Sequence, residues 1–166
     1  MIGPRRDLSS DRLADLYDRF AGTLFRHAAM ILADRVAAAD AVHNVFLKLA
    51  KAGSGGDVEA LAYLRRAVRN ECYSVMRTRR RDIVVAVDAQ LLELVAGEDD
   101  QLAQRLALEQ ALQQLPAEQR EVVHLKVWEG MTFQEIAEVT GEPLNTAASR
   151  YRYAMEKLRA ILAEES

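Results

Sequence analysis

The sequence predicts an all-α protein: two small helical domains joined by a flexible linker, the C-terminal one containing a helix-turn-helix. Three observations carry that expectation. Ala, Leu, Glu, Arg and Gln dominate, half of the 166 residues are hydrophobic and only three are proline, a composition that favours helix almost throughout. Apolar residues recur at three- and four-residue steps everywhere except between about Asp82 and Asp100. Thr132–Gly141 followed by Pro143–Tyr153 reads as a short amphipathic helix, a glycine corner and a second helix whose exposed positions are Asn, Thr, Ser and Arg.

The first domain is expected over residues 8–81. Its first helix starts near Ser9 or Ser10, either able to cap it, with Asp11 in the first turn. Leu13, Leu16, Tyr17, Phe20, Leu24, Ala28 and Ile31 form one apolar stripe. Asp34 opens a second helix with Val42, Val45, Phe46 and Leu49 on its inner face. Ala52-Gly-Ser-Gly-Gly-Asp57 breaks the pattern, and Asp57 can cap a third helix that buries Leu61, Leu64, Val68, Cys72 and Val75. Three such stripes can share one core.

Residues 82–100 form the expected linker. Ile83-Val-Val-Ala-Val87 has strand propensity but no partner run in the chain, so an extended segment laid on a neighbouring surface is the better reading. The second domain is expected over 101–164. Leu102, Leu106, Leu108, Ala111, Leu112 and Leu115 make a helix ended by Pro116, which suits the first position of the next helix. That helix runs through Trp128 and stops at Gly130. Thr132 and Glu135 then form a capping box for the first helix of the motif. The last helix, from about Asn145, buries Ala147, Tyr151, Ala154, Leu158 and Leu162.

The formal net charge of -3 hides a strong local asymmetry. Arg65, Arg66, Arg69, Arg77, Arg79, Arg80 and Arg81 against Glu71 give residues 65–81 a charge of +6, while residues 82–109 carry -6. Local potential, screened beyond about 10 Å at moderate salt, governs phosphate binding rather than the total. Cations at a helix C-terminus also answer the macrodipole, but seven arginines exceed what a cap requires.

Other functions find little support. His27, His43 and His124 show no Glu-x-x-His or His-x-x-x-His spacing, and Gly53-Ser-Gly-Gly56 lacks the lysine and preceding strand of a phosphate loop. No catalytic residue, metal site or cofactor is therefore expected, and Cys72 falls on a buried stripe, where it packs as a small hydrophobe. A single cysteine suits a reducing compartment. The N-terminus lacks the apolar stretch of a signal peptide, and no run approaches the roughly 18 apolar residues of a membrane span, so a cytoplasmic location is expected. In the last helix Thr146, Ser149, Arg150, Arg152 and Tyr153 remain on exposed faces, with Asn145 as the expected cap. Short hydrogen-bonding groups at the first turn and arginines beyond it suit a helix in the DNA major groove.

Two stretches resemble one known family. Leu115-Pro116 through Leu158-Arg159 is similar to the promoter-binding C-terminal domain of bacterial sigma factors. The resemblance lies in Arg120-Glu-Val-Val, Glu129-Gly-Met-Thr-Phe-Gln-Glu-Ile-Ala137 and the Asn145-Thr…Ser149-Arg150 start. Asp40-Ala-Val-His-Asn-Val-Phe-Leu-Lys48 and Ala62-Tyr-Leu-Arg-Arg-Ala-Val-Arg-Asn70 resemble the other sigma module. Two modules and a linker, from about residue 9 to 163, is the layout of the extracytoplasmic-function group.

The resemblance implies a sigma factor that directs core RNA polymerase to promoters and opens them. Asp40, His43, Asn44 and Phe46 would dock on the clamp helices of the largest polymerase subunit, with the polymerase flap as a further contact. Gly55, Asp57, Tyr63, Arg65, Arg66, Arg69, Asn70, Tyr73 and Arg77 would capture the melted minus-ten strand. Asn145, Thr146, Ala148, Ser149, Arg150, Arg152 and Tyr153 would read the minus-thirty-five element in duplex DNA. An anti-sigma factor is the expected regulator. The chain departs from the family at His43-Asn44, where a Gln-acidic pair is usual, and at Ser74, Ala148 and Tyr153. The competing reading is a helix-turn-helix regulator that acts without being a polymerase subunit. The basic helix over 65–81 argues against it, since a sensor domain has no need of one.

Overall fold

The computed structural model describes residues 10–52, 61–79 and 99–164, and every element of secondary structure among them is helical. The expected loop at Gly53–Asp57, Arg80, Arg81, the Ile83–Val87 run and nearly all of the 82–100 linker lie outside the described residues. The chain divides into two compact units, the first holding α1, α2 from Val36 onward, and α3, the second holding α4 to α7.

In the first unit α1 spans Ser10–Leu32, α2 Arg35–Ala52 and α3 Leu61–Arg79. Periodicity dictates the packing. Leu16, Leu24, Ala28 and Ile31 of α1 meet Ala41, Val42, Val45 and Leu49 of α2 and Leu64, Val68 and Cys72 of α3 in one buried cluster. Each fully buried Leu or Ile contributes about 1.5–3 kcal/mol. Tyr17, expected on the α1 stripe, is half out of it, yet its ring still meets Phe46 edge-on at 5.1 Å. Ala33 takes a left-handed φ of 51° between α1 and α2, a strain of about 1–2 kcal/mol for a residue with a Cβ. Across α2 and α3, Lys48 Nζ lies 2.7 Å from Glu71 Oε2. His27 is fully buried.

Two side chains that the family resemblance puts on binding surfaces are buried. Arg65 is only 3% exposed, and Phe46, as its expected place on the inner face of α2 requires, only 5%. Helical phase explains both: Arg65 precedes Val68 and Cys72 by three and seven positions, and Phe46 shares the inner face with Val42, Val45 and Leu49. Neither is a surface contact.

In the second unit α4 spans Asp99–Gln113, α5 Ala117–Val123, α6 Phe133–Thr140 and α7 Leu144–Glu164. Pro116 stands just before α5 rather than at its first position, its carbonyl accepting from the Gln119 and Arg120 N–H groups. Arg120 Nη1 donates to the Leu115 carbonyl at 3.1 Å and closes that turn. α5 continues into one π-helical turn, His124–Trp128, and the chain then bends at Gly130, whose φ is 65°. α7 is the hub, packing against α4, α5 and α6. Ala111, Leu112 and Leu115 are buried, as are Ala147, Ala154 and Leu158, while Tyr151 and Leu162 are half-buried. Burial raises the Glu109 carboxyl above its ordinary value. Among the described residues, no helix is long and apolar enough to cross a membrane.

Candidate nucleic-acid interface

The helix-turn-helix is fixed by local chemistry at each joint. At the start of α6 the Glu135 N–H donates to Thr132 Oγ1 at 3.2 Å, and the Thr132 N–H donates to Glu135 Oε2 at 2.8 Å. Both halves of the predicted capping box are present, satisfying donors that α6 would otherwise leave open. Gly141 ends α6 at φ 70°, ψ 21°, a left-handed conformation in which a Cβ is costly. The Gly141 and Glu142 N–H groups both reach the Ala137 carbonyl, at 2.9 and 3.2 Å. Ile136, Val139, Ala147, Val122 and Leu125 form the buried cluster that locks α6 against α7 and α5. Phe133 meets Tyr151 edge-on at 5.6 Å, and Lys126 Nζ sits 4.5 Å from the Phe133 ring centroid.

α7 begins one residue earlier than expected. Pro143 is the flanking residue, its carbonyl accepting from Thr146 and Ala147, so Asn145 lies within the first turn and is not the cap. Asn145, Arg152 and Tyr153 are exposed, and Thr146, Ala148, Ser149 and Arg150 are half-buried. The Arg152 guanidinium lies 5.2 Å from the Tyr153 ring centroid. Arg150 is ion-paired: its Nη1 stands 3.0 Å from Glu142 Oε1. Neither residue type nor spacing signals Glu142 as the partner of Arg150, because the pair depends on how Gly141 turns the chain.

In the first unit α3 carries an outward stripe. Tyr63, Arg66, Asn70, Ser74 and Arg77 are exposed and recur at three- and four-residue steps, with Arg69 and Tyr73 half-buried beside them. The Arg69 guanidinium covers the Tyr73 ring at 4.5 Å, an arrangement that presents a cation and an aromatic face together. The stripe runs about 20 Å along the helix at 1.5 Å per residue. Of the residues expected on this surface, Arg65 faces the core instead, and Gly55 and Asp57 lie outside the described residues.

On α2, Asp40, His43 and Asn44 are exposed on one face. Val36 and Leu47 flank them, and both are exposed large apolar side chains. Their spacing of 36, 40, 43, 44 and 47 follows the helical period, so Leu47, rather than Phe46, is the apolar member of this face. The sequence signal was the phase of the inner stripe, which excludes Phe46.

Comparison with known proteins gives these surfaces a context. Residues 16–82 match the family described as Sigma-70 region 2, and residues 105–158 match Sigma-70, region 4. The chain is 32% identical over 155 residues to the ECF RNA polymerase sigma factor SigL of Mycobacterium tuberculosis, covering 90% of this chain and 88% of that one. It is 29% identical over 165 residues to the RNA polymerase sigma factor CarQ of Myxococcus xanthus, covering 96% and 94%. In fold it is similar to the sigma factor RpoE from Bartonella quintana, solved with the anti-sigma factor NepR (TM-score 0.69, 24% identity, covering 90% and 97%). CnrH, solved with the cytosolic domain of CnrY, is similar at a TM-score of 0.67 and 24% identity, covering 95% and 92%. A stand-alone helix-turn-helix regulator is thereby set aside. With both Sigma-70 regions in order and a relative matched along nearly its full length, the chain belongs to the extracytoplasmic-function RNA polymerase sigma factors, which direct the polymerase to promoters and initiate transcription.

Proposed function

We propose that the chain divides this work between its two units: residues 8–81 hold core polymerase and the melted minus-ten strand, and residues 101–164 read the minus-thirty-five duplex. The observation that carries the reading is the outward stripe of α3, where Tyr63, Arg66, Arg69, Asn70, Tyr73 and Arg77 share one side of a helix whose other side is core. A single strand offers phosphates and unstacked bases. Cations answer the first, and aromatic and amide surfaces answer the second, with stacking worth about 1–3 kcal/mol per base. That capture offsets the roughly 1–2 kcal/mol lost per base step when duplex opens.

The exposed face of α2, with Val36, Asp40, His43, Asn44 and Leu47, docks on the clamp helices of the largest polymerase subunit. Leu47 takes the apolar role assigned to Phe46 from sequence. On α7, Asn145, Thr146, Ala148, Ser149, Arg150, Arg152 and Tyr153 face the groove. The short side chains of the first turn let the backbone approach, and the arginines reach further. Each unit offers a small interface, so the polymerase supplies the effective concentration that makes the pair of contacts tight. The chain acts as a dissociable, non-catalytic subunit in the cytoplasm. As with the RpoE–NepR pair, an anti-sigma factor is its regulator.

The test is promoter opening by reconstituted holoenzyme. Asn70→Ala and Arg66→Ala should leave closed-complex formation on duplex DNA intact while weakening permanganate reactivity of thymines in the minus-ten region. Unchanged permanganate footprints in both variants would remove α3 from strand capture.

A further inference from the structure

We propose that Glu142 is a positioning residue for promoter discrimination, holding the Arg150 guanidinium so that one edge of it is offered to a base pair. The inference rests on the reading of α7 as the helix that enters the major groove, and deepens it.

The corner between α6 and α7 makes Glu142 a rigid anchor. Gly141 takes its left-handed turn immediately before it, Pro143 fixes φ immediately after it, and the Glu142 N–H is tied to the Ala137 carbonyl at 3.2 Å. From that fixed point the carboxylate reaches Arg150, two turns along α7, with Oε1 at 3.0 Å from Nη1. Side chains on a helix lean toward its N-terminus, so Arg150 already points back toward the end of α7 that approaches DNA. Both side chains are 28% exposed, neither loose in solvent nor sealed in the core.

The chemistry of the guanidinium then sets the consequence. It is a planar fork of five donors, and bidentate contact with a guanine needs two of them on one edge. With Nη1 turned to Glu142, the Nε and Nη2 edge is the one available to a base. A free arginine would have to surrender its rotamer freedom on binding, whereas one already held loses less. The pairing also cancels the charge of Arg150 locally, which weakens any role as a sequence-blind phosphate anchor. Glu142 therefore tilts Arg150 from general attraction toward reading.

The experiment uses holoenzyme reconstituted with the full chain and a promoter library randomised across the minus-thirty-five element. Melting followed by the fluorescence of Trp128 confirms that each variant is folded. Arg150→Ala identifies the base pair at which preference depends on Arg150. At that position Glu142→Ala should reduce the preference about tenfold, the worth of one well-oriented bidentate contact, with affinity for disfavoured promoters unchanged or higher. Glu142→Gln keeps an oxygen acceptor for Nη1 and should retain most of the preference. In the Arg150→Ala background, Glu142→Ala should add nothing at that position. Wild-type preference in Glu142→Ala overturns the proposal. So does a uniform rise in affinity for all promoters with preference intact, which would make Glu142 only a negative charge opposing DNA. If Arg150→Ala itself keeps every wild-type preference, the fault lies with the reading of α7, and the positioning role falls with it.

Discussion

Truncating Ile136 should cost the second unit a large part of its stability. Ile136 is fully buried where α6 meets α5 and α7, in the cluster with Val122, Leu125, Val139 and Ala147. Ile136→Ala removes the outer atoms of its side chain from a site with no solvent to refill it, a loss of about 2–5 kcal/mol once the cavity is included. A folded unit of the size of residues 99–164 has about 3–10 kcal/mol in all, at 0.05–0.15 kcal/mol per residue. With a urea slope of about 1 kcal/mol/M for a small unit, the midpoint should fall by about 2 M or more. The assay is built into the chain: Trp128 is its single tryptophan, half exposed and stacked at 6.2 Å on His124 in the second unit, so its fluorescence reports that unit alone. Ile136→Val should cost about 1 kcal/mol and leave promoter preference unchanged. A loss below about 1 kcal/mol in Ile136→Ala would refute the reasoning, because a side chain so cheaply removed could not be what fixes α6 against α7.

Four further outcomes follow from the same structure. Thr132→Ala should destabilise the second unit by about 1 kcal/mol in the same fluorescence titration, and Glu135→Ala should add little in that background, since the two bonds of the capping box support each other. Arg65→Ala, which empties a buried site, should lower first-unit stability by about 2 kcal/mol or more, measured by circular dichroism. Arg66→Ala should leave stability unchanged but reduce the salt dependence of single-strand binding by about one counterion. Burial holds the Glu109 carboxyl above its ordinary value, so its protonated form is the one the fold favours. Its contribution is fully present below the unfolded-state value and is lost as pH rises through the folded-state value. Glu109→Gln should therefore raise the melting temperature at pH 7, with the gain shrinking as pH falls toward 4.5.

The helix-turn-helix was legible because its joints are made of residues with local conformational preferences. Thr132 and Glu135 stand at capping-box spacing, and Gly141 supplies the left-handed corner. The stripes of α1 and α3 were legible for a similar reason, since Leu16, Leu24, Ile31, Leu64, Val68 and Cys72 keep one helical phase. Phase put Phe46 on the inner face of α2, and only the family resemblance asked for it at a surface; Arg65 was counted with the surface arginines because a guanidinium suggests phosphate, but its position three before Val68 puts it inside. The start of α7 was read one residue late because Asn145 has a capping side chain, whereas the residue that precedes the helix is Pro143, whose carbonyl accepts the first main-chain bonds. The Glu142–Arg150 pair had no local signature at all, because its two ends are brought together only once the corner has formed. The five residues of the π-helical turn are likewise too few for any period to show.

That turn governs aim. A π-helical turn accommodates one residue more than an α-helix would over the same path, and each residue advances the chain by about 100° around the axis. Deleting one residue between His124 and Trp128 would give a more regular helix and a misdirected exit. Gly130 would leave the axis about a quarter-turn away, and Thr132 would launch α6 along a different heading. The local irregularity thus works as an indexing step, and a shorter, smoother version of this chain would carry the same recognition surface pointed at the wrong place.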